Sequence, residues 1–328
     1  MIAALLVTLV ASVLLCGIYL YLARRWRLLA TPDSRSSHQV PTPHGGGAPM
    51  MLAFTLGLVL TGLWCAPWAT GYVALAAGAL LLMLLGIADD LWVLPVRLRF
   101  IAYAIACLVI LLILLPSPAT GGTWAHAALL LPATLVMLWL VNLYNFMDGI
   151  DGIAASQCLL ACGAAALLSR GNGGHDYALY CLLLGASQLG FLVWNWPPAR
   201  LFMGDAGSIP TGFLLAGLAV MGAAQGHLGL ACWLVLLAVF VTDATCTLLW
   251  RMATGQAFTQ PHRLHAYQRL SVRWGSHLRV DLLLVCIFCG WLLPLAWLSE
   301  IYPKYAFLLV ILAYLPLLAG MAKTRSLA

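Results

Sequence analysis

The sequence predicts an all-α polytopic integral membrane protein of about 11 (10–11) transmembrane helices, with the N-terminus periplasmic and the C-terminus cytoplasmic. Three observations predict it. First, 63% of the 328 residues are hydrophobic and 8% are charged, against about 25% charged in an average soluble domain. This excludes a soluble globular protein, and disordered chains are poor in apolar residues. Second, the apolar residues run in continuous stretches of roughly 20, the length a helix needs to cross a bilayer. They do not alternate as in a membrane barrel. Third, the cations are one-sided. With the N-terminus outside, 14 of the 16 Lys and Arg fall in inner loops, leaving Arg170 and Lys304 outside. That asymmetry sets orientation.

The elements follow in order. Apolar stretches at 2–23, 48–67, 71–88, 100–116, 124–144, 153–168, 177–196, 209–225, 229–250, 282–299 and 304–322 predict eleven spans. The first has no clear cleavage site and reads as a retained helix. The chain reads as a single membrane-embedded domain, 1–328, with cytoplasmic loops at about 24–47, 89–99, 145–152, 197–208 and 251–281. Of ten cysteines, nine lie inside apolar stretches and Cys65 near the end of one. They read as small packing residues rather than a disulfide framework. Tryptophans at span ends, such as Trp64, Trp92 and Trp250, read as an interfacial belt.

The acids are the less expected feature. There are nine Asp and one Glu. Asp33, Asp89, Asp90, Asp148, Asp151, Asp205 and Asp281 fall in or beside inner loops, and Asp243 lies about two turns inside a span. Charge at a membrane edge is expensive and marks function. In N-L-Y-N-F-M-D-G-I-D-G, residues 142–152, Asn142, Asn145, Asp148 and Asp151 recur every third residue and form one polar stripe on a helix. In F-M-G-D-A-G-S, Asp205 stands between glycines where a span begins, with Ser208 as an N-cap candidate. Such an N-terminus favours phosphate. Adjacent Asp89 and Asp90 repel unless a cation or a proton neutralises them. In P-H-R-L-H-A-Y-Q-R, His262, Arg263, His265 and Arg269 are donors suited to phosphates. Arg35, Ser36, Ser37 and His38 precede a Gly45-Gly46-Gly47 run and are donors of the same type. Asp243 reads as a proton carrier or, preferentially, as a partner of Arg251.

Taken together, R-S-S-H-x-x-P-T-P-x-G-G-G, the Asp89–Asp90 pair, N-x-x-N-x-x-D-G-x-D-G, F-M-G-D-x-G-S and the His loop resemble the polyprenyl-phosphate N-acetylhexosamine-1-phosphate transferase superfamily. The R-S-S-H start and the H-R-x-H-A-Y-Q-R loop are most similar to its bacterial O-antigen-initiating branch. His44 stands where many relatives carry Arg.

The resemblance implies a membrane enzyme that transfers HexNAc-1-phosphate from a UDP-sugar to undecaprenyl phosphate and releases UMP. It implies a multi-pass protein of the bacterial inner membrane with its site on the cytoplasmic face. It further implies Mg²⁺, with Mn²⁺ as an alternative, on Asp205 with Asn145. Asp89 and Asp90 would organise the metal or deprotonate the lipid phosphate. Asn142, Asp148 and Asp151 would hold the nucleotide, and His262, Arg263, His265, Arg35 and His38 the phosphates. No nucleic acid is implied; a homodimer stays open. The rival class is a secondary transporter, which places its substrate near the midplane.

Overall fold

The computed structural model describes residues 1–26, 29–30, 42–92, 94–116, 123–256 and 263–325. Arg35, His38 and His262 lie outside these residues.

Helix α1 (Ile2–Arg25) shows why the chain folds as it does. Ala4, Thr8, Ser12 and Cys16 are buried, while Leu6, Val10, Leu14 and Ile18 face outward. Large apolar side chains outside and small ones inside is the pattern of a helix in lipid, where close backbone approach replaces the hydrophobic drive. The same logic joins α1 to α2 (Gly47–Trp64) and α7 (His175–Asn195). A Cβ on Gly57 would lie 2.0 Å from Thr8 Oγ1, and one on Gly190 would lie 2.5 Å from Ser12 Cβ. Ser12 also donates to the Ser187 carbonyl at 2.6 Å.

Helices α3 (Thr70–Trp92), α4 (Val96–Leu114), α5 (Thr123–Met147) and α6 (Ile153–Leu168) complete the first part of the bundle. Helix α8 (Asp205–Ala224) runs through its centre and is the most enclosed span. Leu75 fits against Gly217, and Phe213 against Gly78. Among the described residues ten helices are long and apolar enough to span, or eleven with one broken pair. A two-residue antiparallel ladder joins β1 (Leu29–Ala30) to β2 (Thr42–Pro43), just ahead of α2.

The expected straight span at 229–250 is instead two helices, α9 (Leu230–Leu236) and α10 (Ala238–Ala253), bent by 74°. No Gly or Pro marks the break. Gln157 Nε2 donates to the Leu236 carbonyl at 2.9 Å, so a side chain from α6 satisfies a carbonyl at the bend. Glu300 accepts from Gly229 N at 3.0 Å and pins the start of α9. A short amphipathic helix, α11 (Ala266–Trp274), then leads to α12 (His277–Ile287), which continues through one π-turn into α13 (Leu293–Ile301). Helix α14 (Ala306–Arg325) closes the chain.

The C-terminal ends of α1, α3, α5, α10 and α14 and the N-terminal ends of α2 and α8 meet at one end of the bundle. Tyr19 on α1 donates to the His44 carbonyl there, at 2.7 Å. Arg325 on α14 donates to the Cys246 carbonyl at 2.8 Å. The two termini therefore leave from opposite ends, as an odd number of spans requires.

Candidate active site

The site begins with glycines. A Cβ on Gly86 would lie 2.5 Å from the Asp205 carbonyl oxygen and 2.6 Å from Ala206 N, both rigid backbone. Only glycine lets the end of α3 press against the start of α8. This contact carries Asp89 and Asp90 to Asp205. A Cβ on Gly47 would lie 2.1 Å from Gly207 Cα, so the triglycine run is a close-packing device between α2 and α8. Gly46 N and Gly47 N donate to the Phe202 and Met203 carbonyls, each at 2.9 Å, and Phe202 N donates to the Pro43 carbonyl at 2.9 Å. The two loops thus pair like strands.

Helix α8 starts at Asp205, with Gly204 at φ +70° as its cap. Ser208 is therefore not the N-cap the sequence suggested. It lies inside the first turn, where its hydroxyl donates to the Gly204 carbonyl at 3.2 Å. Asn145 Nδ2, from the end of α5, donates to Asp205 Oδ1 at 2.7 Å and to Ser208 Oγ at 2.9 Å. Asp205 N donates to Asp90 Oδ1 at 3.4 Å. Asp90 Oδ2 is buried without a hydrogen-bond partner. Asp89 accepts from Leu94 N at 2.7 Å and is ion-paired to Arg99. Arg99 Nη1 also lies 3.5 Å from Asp205 Oδ2. Arg99, from α4, is thus a member of the site that the sequence counted only as loop charge. Its spacing from Asp89, ten residues across a short turn, was the available signal.

Of these groups Asn145 and Asp205 line a cavity of about 200 Å³, and Asp89, Asp90 and Arg99 stand behind Asp205. His44, Asn145, Asp148, Asn195 and Asp205 line it. Burial pushes the Asp148 carboxyl well above the usual carboxylate range, and the charges of Asp205, Asp90 and Asp151 push the same way. Burial lowers the His44 pKa, and the charge of Asp205 opposes that shift.

The remaining described candidates, Asn142, Asp151, His265 and Arg263, do not line this cavity. Asn142 is buried and donates to the Leu138 carbonyl at 2.8 Å, one turn back on its own helix. Asp151 accepts from Ala199 N at 3.0 Å and lies 3.2 Å from His277 Nδ1. It ties the 149–152 loop to its neighbours. Asn195 does the same from α7: it accepts from Gly152 N at 3.0 Å and donates to the Leu201 carbonyl at 2.9 Å. Asn195 and His277 were not singled out by the sequence, because one polar residue beside a span end carries no spacing signal.

His265 is buried against α10. Its Nδ1 lies 3.2 Å from Asp243 Oδ1, and Asp243 also accepts from Ala266 N at 2.9 Å and Tyr267 N at 3.0 Å. The partner of Asp243 is therefore the start of α11, where the sequence had favoured Arg251. Tyr267 reaches from there to the cavity loop and donates to the Phe146 carbonyl at 2.9 Å. Gly149 permits that approach, since a Cβ there would lie 2.1 Å from the Tyr267 hydroxyl. Arg263 is part-buried on the stretch leading into α11.

Four acids, an amide and a guanidinium at one end of a bundle of apolar helices define a class: a multi-pass membrane protein with a polar site at one end of its spans. Comparison with known proteins narrows it. The model for glycosyl transferase family 4 matches residues 72–223. A probable undecaprenyl-phosphate N-acetylglucosaminyl 1-phosphate transferase of Bacillus subtilis is 26% identical over 294 residues, 87% of this chain and 80% of that protein. A decaprenyl-phosphate N-acetylglucosaminephosphotransferase of Mycobacterium tuberculosis is 29% identical over 80% of this chain and 74% of its own length. A phospho-N-acetylmuramoyl-pentapeptide-transferase of Geobacillus thermodenitrificans is 29% identical over 66% and 74%. The matched family model and these relatives support the polyprenyl-phosphate hexosamine-1-phosphate transferase superfamily for this chain.

Proposed function

We propose that this protein transfers a HexNAc-1-phosphate from a UDP-sugar to undecaprenyl phosphate, releasing UMP and initiating a cell-surface polysaccharide such as O-antigen. The observation that carries the reading is the meeting of Asp89, Asp90, Asn145 and Arg99 around Asp205, which with Asn145 lines one cavity. Phosphoryl transfer needs little covalent help from a protein; it needs positioning and charge neutralisation.

An all-oxygen donor set with one buried, unpartnered carboxylate oxygen, Asp90 Oδ2, suits a hard divalent cation. Asp205 and Asp90 would hold Mg²⁺, with Asn145 beside them, and the cation would neutralise phosphate oxygens and the leaving UMP. The other tasks fall to the chain. Arg99 holds Asp89 and Asp205 apart in fixed orientations. Asp148 and Asn195 on the cavity wall offer hydrogen-bond groups to a nucleotide. His44 stands at the cavity wall as a titratable donor for phosphate. In the reaction an oxygen of the lipid phosphate attacks the sugar-bearing phosphorus, and the bond to the UMP oxygen breaks. One phosphoanhydride is lost and one is made, so UMP should drive the reverse reaction. A transporter reading is disfavoured because the acids collect at one end of the bundle and not at its middle.

The test is UMP release from detergent-purified protein supplied with undecaprenyl phosphate, Mg²⁺ and a panel of UDP-HexNAc donors. Release should require all three components. Asp205→Asn should reduce it by roughly 10²-fold or more, the scale of losing one preorganised charge contact in a transition state. Undiminished turnover by a folded Asp205→Asn protein would overturn the assignment.

A further inference from the structure

Two arginines from different elements, Arg269 and Arg325, come together beside α11, and neither lines the cavity. Arg269 lies on α11, and its Nη2 is 3.4 Å from Thr324 Oγ1 on α14. Arg325, also on α14, donates from Nη2 to the Cys246 carbonyl, and its guanidinium sits 5.2 Å over the Trp250 ring. The Nε atoms of Arg269 and Arg325 are buried and have no hydrogen-bond partner. Neither side chain is paired with a carboxylate among the described residues. The acid nearest in charge, Asp243, already accepts from His265, Ala266, Tyr267 and Thr247. Burial lowers the Arg269 pKa, Asp243 opposes that shift, and the like charge of Arg325 adds to it.

A positive-inside charge distribution accounts for arginines at this end of the bundle, but such arginines need only reach water. It does not account for buried guanidinium N–H groups left unsatisfied, each of which costs free energy. A group with several anionic oxygens would satisfy them in the forked geometry that arginine favours. The surroundings say where that group comes from. Leu249, Met252 and Val272 are exposed apolar side chains on α10 and α11, the helices that meet at the pair, and Arg273 on α11 is exposed as well. Apolar side chains beside a tryptophan and a ring of cations mark the headgroup level of a bilayer.

We propose that Arg269 and Arg325, where α10, α11 and α14 meet, bind the phosphodiester of an anionic bilayer phospholipid. The lipid locks α11 against the bundle. Through Asp243, His265 and Tyr267 it thereby sets the position of the loop beside the cavity. The site is separate from the substrate cavity and stands whether or not the proposed reaction is correct.

The test is lipid retention, read without any turnover. Protein purified in detergent with phosphatidylcholine is titrated with dioleoylphosphatidylglycerol, and bound lipid is counted by native mass spectrometry alongside Tm. The wild-type chain should retain phosphatidylglycerol over phosphatidylcholine and melt higher with it. Arg269→Gln and Arg325→Gln should each weaken retention roughly tenfold, the loss of one charge-assisted hydrogen bond. Arg269→Lys and Arg325→Lys, which keep charge without the fork, should fall between and carry the comparison if the Gln proteins do not survive extraction. Arg170→Gln, at the opposite end of the bundle, should change nothing. Equal retention by wild type and the Arg269 and Arg325 variants would overturn the proposal. So would displacement of phosphatidylglycerol by undecaprenyl phosphate, which would make this the acceptor's seat. An equal gain in Tm from inorganic phosphate would also overturn it, by assigning the site to a free anion.

Discussion

Asp205 is held from three directions: by the Asn145 amide, by the Arg99 guanidinium and by its own backbone N–H on Asp90. Each partner comes from a different helix, so the geometry of one carboxylate reports the packing of four. Arg99 is the most informative of these to change. Arg99→Gln leaves Asp89 with the Leu94 N–H as its remaining hydrogen bond and removes the only cation shown near Asp205 among the described residues. Because Arg99 is partly exposed, the expected stability loss is about 1–3 kcal/mol, the range for a charged hydrogen bond. The expected loss of turnover is larger, roughly 10²-fold, since the carboxylates would lose their fixed orientation. Arg99→Lys restores charge without the fork and should recover only part of it. Steady-state UMP release with a Tm for each variant separates the two effects. A variant that lost stability but kept turnover would make Arg99 a strut and nothing more.

Elements meet at this site through glycines, and two substitutions test them. Gly86→Ala places a methyl 2.5 Å from the Asp205 carbonyl oxygen, which cannot yield because it belongs to the first turn of α8. Overpacking of this kind costs roughly 1–3 kcal/mol. The Tm should fall, and UMP release should fall further than the Tm accounts for, because the displaced turn carries Asp205. Gly149→Ala differs in kind. Its methyl meets the Tyr267 hydroxyl at 2.1 Å and the ring carbon behind it at 3.1 Å. Removing the hydroxyl relieves the worse contact, so Gly149→Ala with Tyr267→Phe should be more active than Gly149→Ala alone. A double variant no better than the single one would disconnect α11 from the cavity.

These contacts also explain what the sequence could and could not reveal. The acids were legible because carboxylates stand out against apolar spans. Asn145 was visible through the three-residue stripe it shares with Asn142, Asp148 and Asp151, and Asp205 because it stands between glycines where a span begins. Arg99 was not, since every loop arginine looks alike under a charge-asymmetry argument. The triglycine alone was a weak signal, and the observed use of Gly47 is packing against Gly207. The bend between α9 and α10 left no mark, because no Gly or Pro stands there and the side chain that satisfies its Leu236 carbonyl, Gln157, is 79 residues away.

At the scale of the whole molecule, the bundle has two unequal ends. Among the described residues, twelve of the fourteen Lys and Arg lie at the end that carries Asp205, and Arg170 and Lys304 lie at the other. The asymmetry is not a by-product of the site. Arg24, Arg25, Arg200, Arg273 and Lys323 stand at span ends or in loops and not on the cavity wall. Such an excess orients a chain with its cationic end in the cytoplasm. The same end must face the cytoplasm if the donor is a nucleotide sugar made there. Two independent requirements, one of insertion and one of chemistry, therefore select the same orientation. Fusion reporters can test it. A fluorescent protein attached after α14 should fluoresce, and alkaline phosphatase at that point should be inactive. Alkaline phosphatase inserted at the 171–174 turn, at the opposite end, should be active. The reverse pattern would put Asp205 on the outer face, out of reach of a cytoplasmic donor, and the transferase reading would fall with the orientation.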